Sequence, residues 1–311
     1  MTCKPEKKYT TFLIINNMER IEFYKNRSLS ERFSASVDFL KQNWKVLYKN
    51  ILIGAIPLAI VGGYFAQYYL QASFTNIYSG QALANPFYIL LYVIAIVALG
   101  IYLNSMPGAI LKKYGEGELT PSTGWNELSG SMFSLSGKTF AISFMVGIVI
   151  VVLAATFGVV FSFLADGGLT GVFFVFGIVL FIMLAILLAF SPSLSLIFFP
   201  AYFSGAGNRE SIKIAFGMGF RNWGSAFVTL LLAGIVLYVI VVIFAIPSII
   251  ITFISPGEIT FLTFLFTFIT ILGEILAYPI FFIFIAFQYF SIVEKEQGVS
   301  LQSKVSEFEN L

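Results

Sequence analysis

The chain has 311 residues, of which 58% are hydrophobic and only 11% charged. An ordinary soluble domain carries about 25% charged residues. Its 36 phenylalanines and its long uncharged runs exclude a soluble fold. Several runs exceed the roughly 20 residues a helix needs to cross a bilayer, and no alternating strands point to an outer-membrane barrel. There is no histidine and one cysteine, Cys3, which excludes histidine-based metal sites, Ser-His and Cys-His nucleophile pairs and an internal disulfide; the net charge of +2 discriminates little.

Residues 1–29 read as a basic tail. No cleavable signal peptide is evident, because Thr11–Ile15 is too short for a signal core. Met18 opens MERIEFYKNRSLSERF and reads as an alternative start, with residues 1–17 as an upstream extension. Residues 30–47 predict an amphipathic surface helix, with Phe33, Val37, Leu40, Trp44 and Leu47 on one stripe. The charges stop at Lys49, and a first span follows near 50–70, containing Pro57 and Gly62-Gly63. The second span runs near 87–111 and is stopped by Lys112-Lys113.

Trp125, Leu128, Met132 and Leu135 predict a second surface segment after Thr120-Pro121-Ser122. Spans near 139–164 and 171–203 follow, joined by an Asp166-Gly167-Gly168 turn. Ile212, Phe216, Phe220 and Trp223 mark a third surface segment. The last spans lie near 224–252 and 259–291, joined by Ser255-Pro256-Gly257-Glu258. Residues 292–311 form a charged C-terminal tail.

The expected fold is therefore all-α: a polytopic membrane protein with a six-helix transmembrane domain over 30–291. Its pattern is three repeats of an amphipathic interfacial helix plus a transmembrane hairpin. Asn43-Trp44 recurs as Asn222-Trp223, and prolines recur late in the even-numbered spans at Pro107, Pro200 and Pro279.

All 18 Lys and Arg residues fall in 1–49, 112–138, 209–221 and 295–304, which six spans place on one side. Basic residues resist translocation, so both termini are expected to be cytoplasmic, in a bacterial inner membrane. Trp44, Trp125 and Trp223 are the expected interfacial anchors. Lys41, Lys45, Lys49, Lys138 and Arg221 would meet lipid phosphates, or the surface helices would simply pack on the bundle.

Glu274 is the sharpest candidate for chemistry. Counting from Glu258 and Ser291 places it near mid-membrane, where a carboxylate is costly and faces a cavity or polar groups. Asn104 and Ser105 in the second span, and Ser191, Ser193 and Ser195 in the fourth, are its expected partners in a polar pocket. The alternative is that Glu274 hydrogen-bonds across helices as packing glue.

Enzyme motifs do not assemble. Asp38 and Asp166 lie outside the apolar core, which excludes a paired-aspartate site. Gly137-Lys138-Thr139 lacks the earlier glycine of a phosphate loop, since Met132 stands there. Gly115-Glu116-Gly117-Glu118 would repel phosphate, and Gly217 and Gly219 read as close-packing points.

The segment PAYFSGAGNRESIKIAFGMGFRNWGSAFVTLLL (200–232) resembles six-span membrane-domain families related to the glycerophosphodiester phosphodiesterase membrane domain. Within that group, RSLSERFSASVDFLKQNWKVLYKNI (27–51) and YFSIVEKEQGVSLQSKV (289–305) resemble an uncharacterised family of bacterial six-span integral membrane proteins. The resemblance implies topology rather than chemistry. The phosphodiesterase activity belongs to a separate soluble domain whose acidic and histidine residues have no counterpart here. A carotene-oxygenase label that some members carry needs histidine-bound iron, which this chain cannot build.

The expected function is a non-enzymatic membrane scaffold or accessory subunit. Its expected partners are membrane lipids and a protein in the membrane, with no nucleic acid, cofactor or metal. A carrier or channel-like transporter using a pocket around Glu274 is the alternative, and an intramembrane lipid enzyme a weaker one.

Overall fold

The structure, a computed structural model, describes residues 20–79, 86–164, 168–254 and 261–301. The expectations for residues 1–17, for the Asp166-Gly167 and Ser255–Glu258 turns, and for the tail beyond Leu301 lie outside the described residues.

The elements are α1 (Leu29–Ser79), α2 (Pro86–Glu116), α3 (Trp125–Leu164), α4 (Gly168–Ser195), a π-helical turn (Pro200–Ser204), α5 (Asn208–Arg221), α6 (Trp223–Ile254) and α7 (Phe261–Gln297). Among the described residues there is no strand, and six helices are long and apolar enough to cross a membrane. The chain is an all-α polytopic membrane protein.

Local sequence explains the helix ends. Ser28 and Glu31 form a capping box at the start of α1. The Ser28 N–H donates to Glu31 Oε2 at 2.7 Å, and the Glu31 N–H returns to Ser28 Oγ at 3.4 Å. α2 stops at Gly117, whose φ of 82° is left-handed, and the Glu118 N–H closes back on Lys113 O at 3.0 Å. At the start of α3, Glu127 Oε1 accepts from the Gly124 N–H at 3.2 Å. After α4 the π-turn opens on Pro200 and stops at Gly205, again left-handed with φ 72°.

The first two surface segments are not separate helices. α1 runs unbroken for 51 residues and α3 for 40. At about 1.5 Å per residue each is far longer than the roughly 30 Å hydrocarbon layer, so each carries a stretch beyond it. Only the third unit breaks between surface helix and span, at Asn222.

The surface stripes also face differently from expectation. In α1 the buried face is Ala35, Ser36, Phe39, Val46 and Leu47, whereas Val37 and Trp44 are exposed. In α5 the buried residues are Ser211, Ala215, Met218 and Gly219, and Phe220 is exposed. Small residues let these two helices approach the bundle, leaving bulky apolar side chains on the outer side. The second stripe does turn inward, with Leu128, Met132 and Leu135 buried.

α1 packs on α2 and α7, α7 on α6, and α2 on α3; α4 touches α3 and α6 and carries α5. The core sits at the basic end rather than mid-span. α7 is buried on every side from Phe282 to Val293. Toward the other end the helices separate. Of their most apolar windows, 44% is buried in α1 and α7 but only 11% in α4 and α6. A helix apolar all round is buried by protein or by lipid, and α7 is buried by protein along its last third.

Residues 20–28, within the segment read as a tail, form a strap across this core. Phe23 stacks on Phe290 at 4.6 Å and on Tyr114 at 5.4 Å. Arg20 Nη2 donates to Tyr114 O at 2.5 Å and Gly115 O at 2.7 Å, satisfying carbonyls at the end of α2. The Arg27 N–H donates to Ser291 Oγ at 3.1 Å.

Candidate functional site

Glu274 lies on α7 between two packed directions. Gly273 presses on Phe244 of α6, and Thr270 Oγ1 donates to Phe244 O at 3.5 Å. One turn on from Glu274, Tyr278 Oη donates to Asn104 Oδ1 of α2 at 2.8 Å. At about 100° per residue, Glu274 projects between the sides of α7 that meet α2 and α6. It is exposed, and it makes no hydrogen bond or ion pair among the described residues.

Along α1, Tyr48 Oη donates to Leu276 O at 2.8 Å, and a Cβ on Gly63 would lie 3.3 Å from Ile271 Cδ1. The stretch of α7 that carries Glu274 therefore lies beside the part of α1 that follows Lys49, its last charge. Further along α7, the protein itself buries Phe282–Val293.

The expected pocket is three separate arrangements. Asn104 joins Tyr278, near Glu274, and its Nδ2 donates to Gly100 O at 2.8 Å. Ser105 belongs to a different cluster. Its Oγ is 3.2 Å from Thr139 Oγ1 of α3, which in turn bonds Tyr202 Oη of the π-turn. Ser191 and Ser195 donate to carbonyls of their own helix, Leu188 O at 3.1 Å and Pro192 O at 2.8 Å. Ser193 is fully buried against Gly219 of α5, and its Oγ has no hydrogen-bond partner among the described residues.

The three tryptophans also differ. Trp44 is exposed, with Lys45 Nζ 5.7 Å from its ring centre. Trp125 stacks on Tyr102 at 5.8 Å and is half-buried. Trp223 donates Nε1–H to Ala189 O at 3.0 Å and stacks on Phe227 at 4.8 Å. All three lie at the start of a helix or in its surface stretch, close in sequence to the lysines and arginines.

A second polar cluster had no separate signal in the sequence. Arg32 Nη1 donates to Ser225 Oγ at 2.9 Å, and Gln288 Nε2 lies 3.5 Å from the same hydroxyl. Thr229 Oγ1 donates to Gln288 Oε1 at 2.9 Å. These bonds tie α1, α6 and α7 together below the apolar spans. Arg32 lies one turn into a charged amphipathic stretch, where an arginine reads as solvated.

Beside the strap opens a crevice of about 960 Å³ lined by Arg20, Lys25, Arg27 and Lys41 with Glu22, Glu31 and Asp38. Both signs are interleaved, so it presents no single-sign field. Burial lowers the Arg27 guanidinium below its ordinary value, with Glu22 and Glu31 acting against that shift.

Among the described residues, no group of three or more His, Cys, Asp or Glu side chains could hold a metal ion. Comparison with protein-family models, curated proteins and solved structures finds no match.

Proposed function

We propose that this membrane protein is a non-enzymatic scaffold or accessory subunit of the bacterial cytoplasmic membrane, with both termini inside, holding lipid or a protein partner. The observation that carries this reading is how the buried polar groups are used. Ser105, Thr139 and Tyr202 join α2, α3 and the π-turn, while Arg32, Ser225, Thr229 and Gln288 join α1, α6 and α7. Such cross-helix bonds fix a frame at the inner surface. The exposed Val37, Trp44 and Phe220 then stand on its outer side, where an inner leaflet or a partner helix would cover them.

The test is extraction of the tagged protein in mild detergent or lipid discs, with mass spectrometry of what stays bound. A stoichiometric protein or lipid that is lost when Trp44 and Trp223 become Ser is the expected result. A protein that retains nothing in either form would contradict the reading.

Glu274 favours a second reading, a carrier. A carboxylate without a partner among the described residues, one turn from the Asn104–Tyr278 pair, suits a transiently bound cation or amine. Substrate flux abolished by Glu274→Gln would support it; unchanged flux would remove Glu274 from that role.

A further inference from the structure

Glu274 has an open neighbour across the seam between α2 and α7. Both of these helices run antiparallel to α1. Tyr102 Oη of α2 donates to Asn50 O of α1 at 2.6 Å, while further along α1 a Cβ on Gly62 would lie 3.7 Å from Ala95 Cβ. Tyr48 Oη donates to Leu276 O of α7 at 2.8 Å, while a Cβ on Gly63 would lie 3.3 Å from Ile271 Cδ1. α2 and α7 are therefore parallel to each other, and the Tyr278–Asn104 bond at 2.8 Å sets their register. One turn further from the basic end, Glu274 on α7 stands level with Gly100 on α2. Between parallel helices, the positions one turn before a contacting pair form the next layer of the same seam.

That layer is open. Gly100 is exposed, and a Cβ built on it would meet no atom within 4 Å. Glu274 makes no hydrogen bond among the described residues, whose ion pairs are Lys113–Glu118 and Arg221–Glu296. Its stretch of α7 lies beside the uncharged run of α1, where a carboxylate without a partner is costly. The end of the niche nearer the basic residues is closed by Asn104 and Tyr278. Their polar atoms are engaged with each other and, through Asn104 Nδ2, with Gly100 O at 2.8 Å. Toward the other end, Val93, Ile96 and Val97 share the Gly100 face of α2 and are exposed. The niche is thus one carboxylate at the head of an apolar track.

We propose that this niche binds the primary ammonium group of a membrane-soluble amine, with Glu274 as its counter-ion and the alkyl body along Val93, Ile96 and Val97. A carboxylate repels anions. Calcium and magnesium take about six oxygen ligands or more, whereas the niche offers the carboxylate of Glu274 beside Asn104 Oδ1, which already accepts from Tyr278. An ammonium group carries a single charge, and its N–H groups make short charge-assisted bonds to a carboxylate. The missing side chain at Gly100 leaves room for that head group, and the apolar track suits an alkyl chain rather than a hydrated ion. This deepens the carrier reading and rests on its use of Glu274 as a binding group.

The test uses the full-length protein purified in detergent, with native mass spectrometry of retained dodecylamine, dodecyltrimethylammonium and dodecanol. Two variants are compared with the parent. Glu274→Gln keeps the shape and removes the charge, and Gly100→Leu fills the niche and leaves the carboxylate. The expected result is a preference for dodecylamine of about tenfold or more in the parent, lost in both variants. Gly100→Leu should melt no lower than the parent, because its side chain enters open space and leucine favours a helix. A lower melting temperature would show the niche to be closed and overturn the site. No preference in the parent, or one that survives Glu274→Gln, would also overturn it. Displacement of dodecylamine by phosphatidylethanolamine would assign the ammonium to a lipid headgroup; resistance would assign it to a single-chain amine. Flux of potassium and of methylammonium in proteoliposomes separates this site from the carrier reading. Flux that needs Glu274 without an amine preference would keep the carrier and end the amine site. An amine preference with flux unchanged by Glu274→Gln would keep the site and end the carrier.

Discussion

The ring of Phe23, in the non-helical strap before α1, lies 4.6 Å from the ring of Phe290 and only 12° from parallel to it. These residues sit near opposite ends of the chain, so the contact closes the bundle at its basic end. Phe23→Ala should free the strap. Limited trypsin treatment of the purified protein should then cleave after Lys25 or Arg27 more than about tenfold faster than in the parent, because burying a phenylalanine contributes about 3 kcal/mol or more. Equal cleavage rates would mean that the strap is held by Arg20 and Arg27 alone.

Ser193 and Gly219 make an asymmetric pair. A Cβ on Gly219 would lie 2.5 Å from Ser193 Cα, which cannot move aside without shifting α4. Gly219→Ala should therefore destabilise by about 1–3 kcal/mol or more in reversible unfolding. Ser193→Ala removes a buried hydroxyl that has no partner, and should leave stability unchanged or raise it by up to about 1 kcal/mol. A larger loss from Ser193→Ala would show that its hydroxyl has a partner.

Much of the architecture is legible in the sequence. Run lengths give six spans, and the grouping of Lys and Arg gives one basic end. The facing of α1 is not legible, because both of its sides are apolar: Phe39 goes to the core and Trp44 outward. Hydrophobicity cannot tell a lipid from a neighbouring helix. For a similar reason Phe282–Val293 reads mostly as membrane span yet is enclosed by protein. Asn104, expected to partner Glu274, bonds Tyr278 one turn further along α7. Tyr278 is one of many aromatics in its helix, and only the fold distinguishes it.

Tyr278 and Glu274 should separate by experiment. Tyr278→Phe removes the bond to Asn104 and should cost about 0.5–1.5 kcal/mol. Glu274→Gln breaks no bond and should change stability by less than about 0.5 kcal/mol. A large loss from Glu274→Gln would identify it as a structural brace.

The cluster between α6 and α7 gives an ordered pair of losses. Thr229→Val takes the donor from the Gln288 carbonyl and leaves that oxygen buried, at about 1–3 kcal/mol. Gln288→Leu should cost less, because Thr229 keeps Ser225 O at 3.0 Å and Ser225 keeps Arg32. The reverse order in thermal unfolding would show that Gln288 acts mainly by packing.

Everything proposed here depends on six crossings with the packed basic end in the cytoplasm. The direct measurement is reaction with a membrane-impermeant thiol reagent on intact cells, using a Cys3→Ser background and single cysteines replacing Ser79, Ser255 or Ser303. The account predicts labelling at positions 79 and 255 from outside, and at 303 only after the cells are opened. Labelling of position 303 in intact cells, with 79 and 255 silent, would contradict it and remove the inner-surface scaffold.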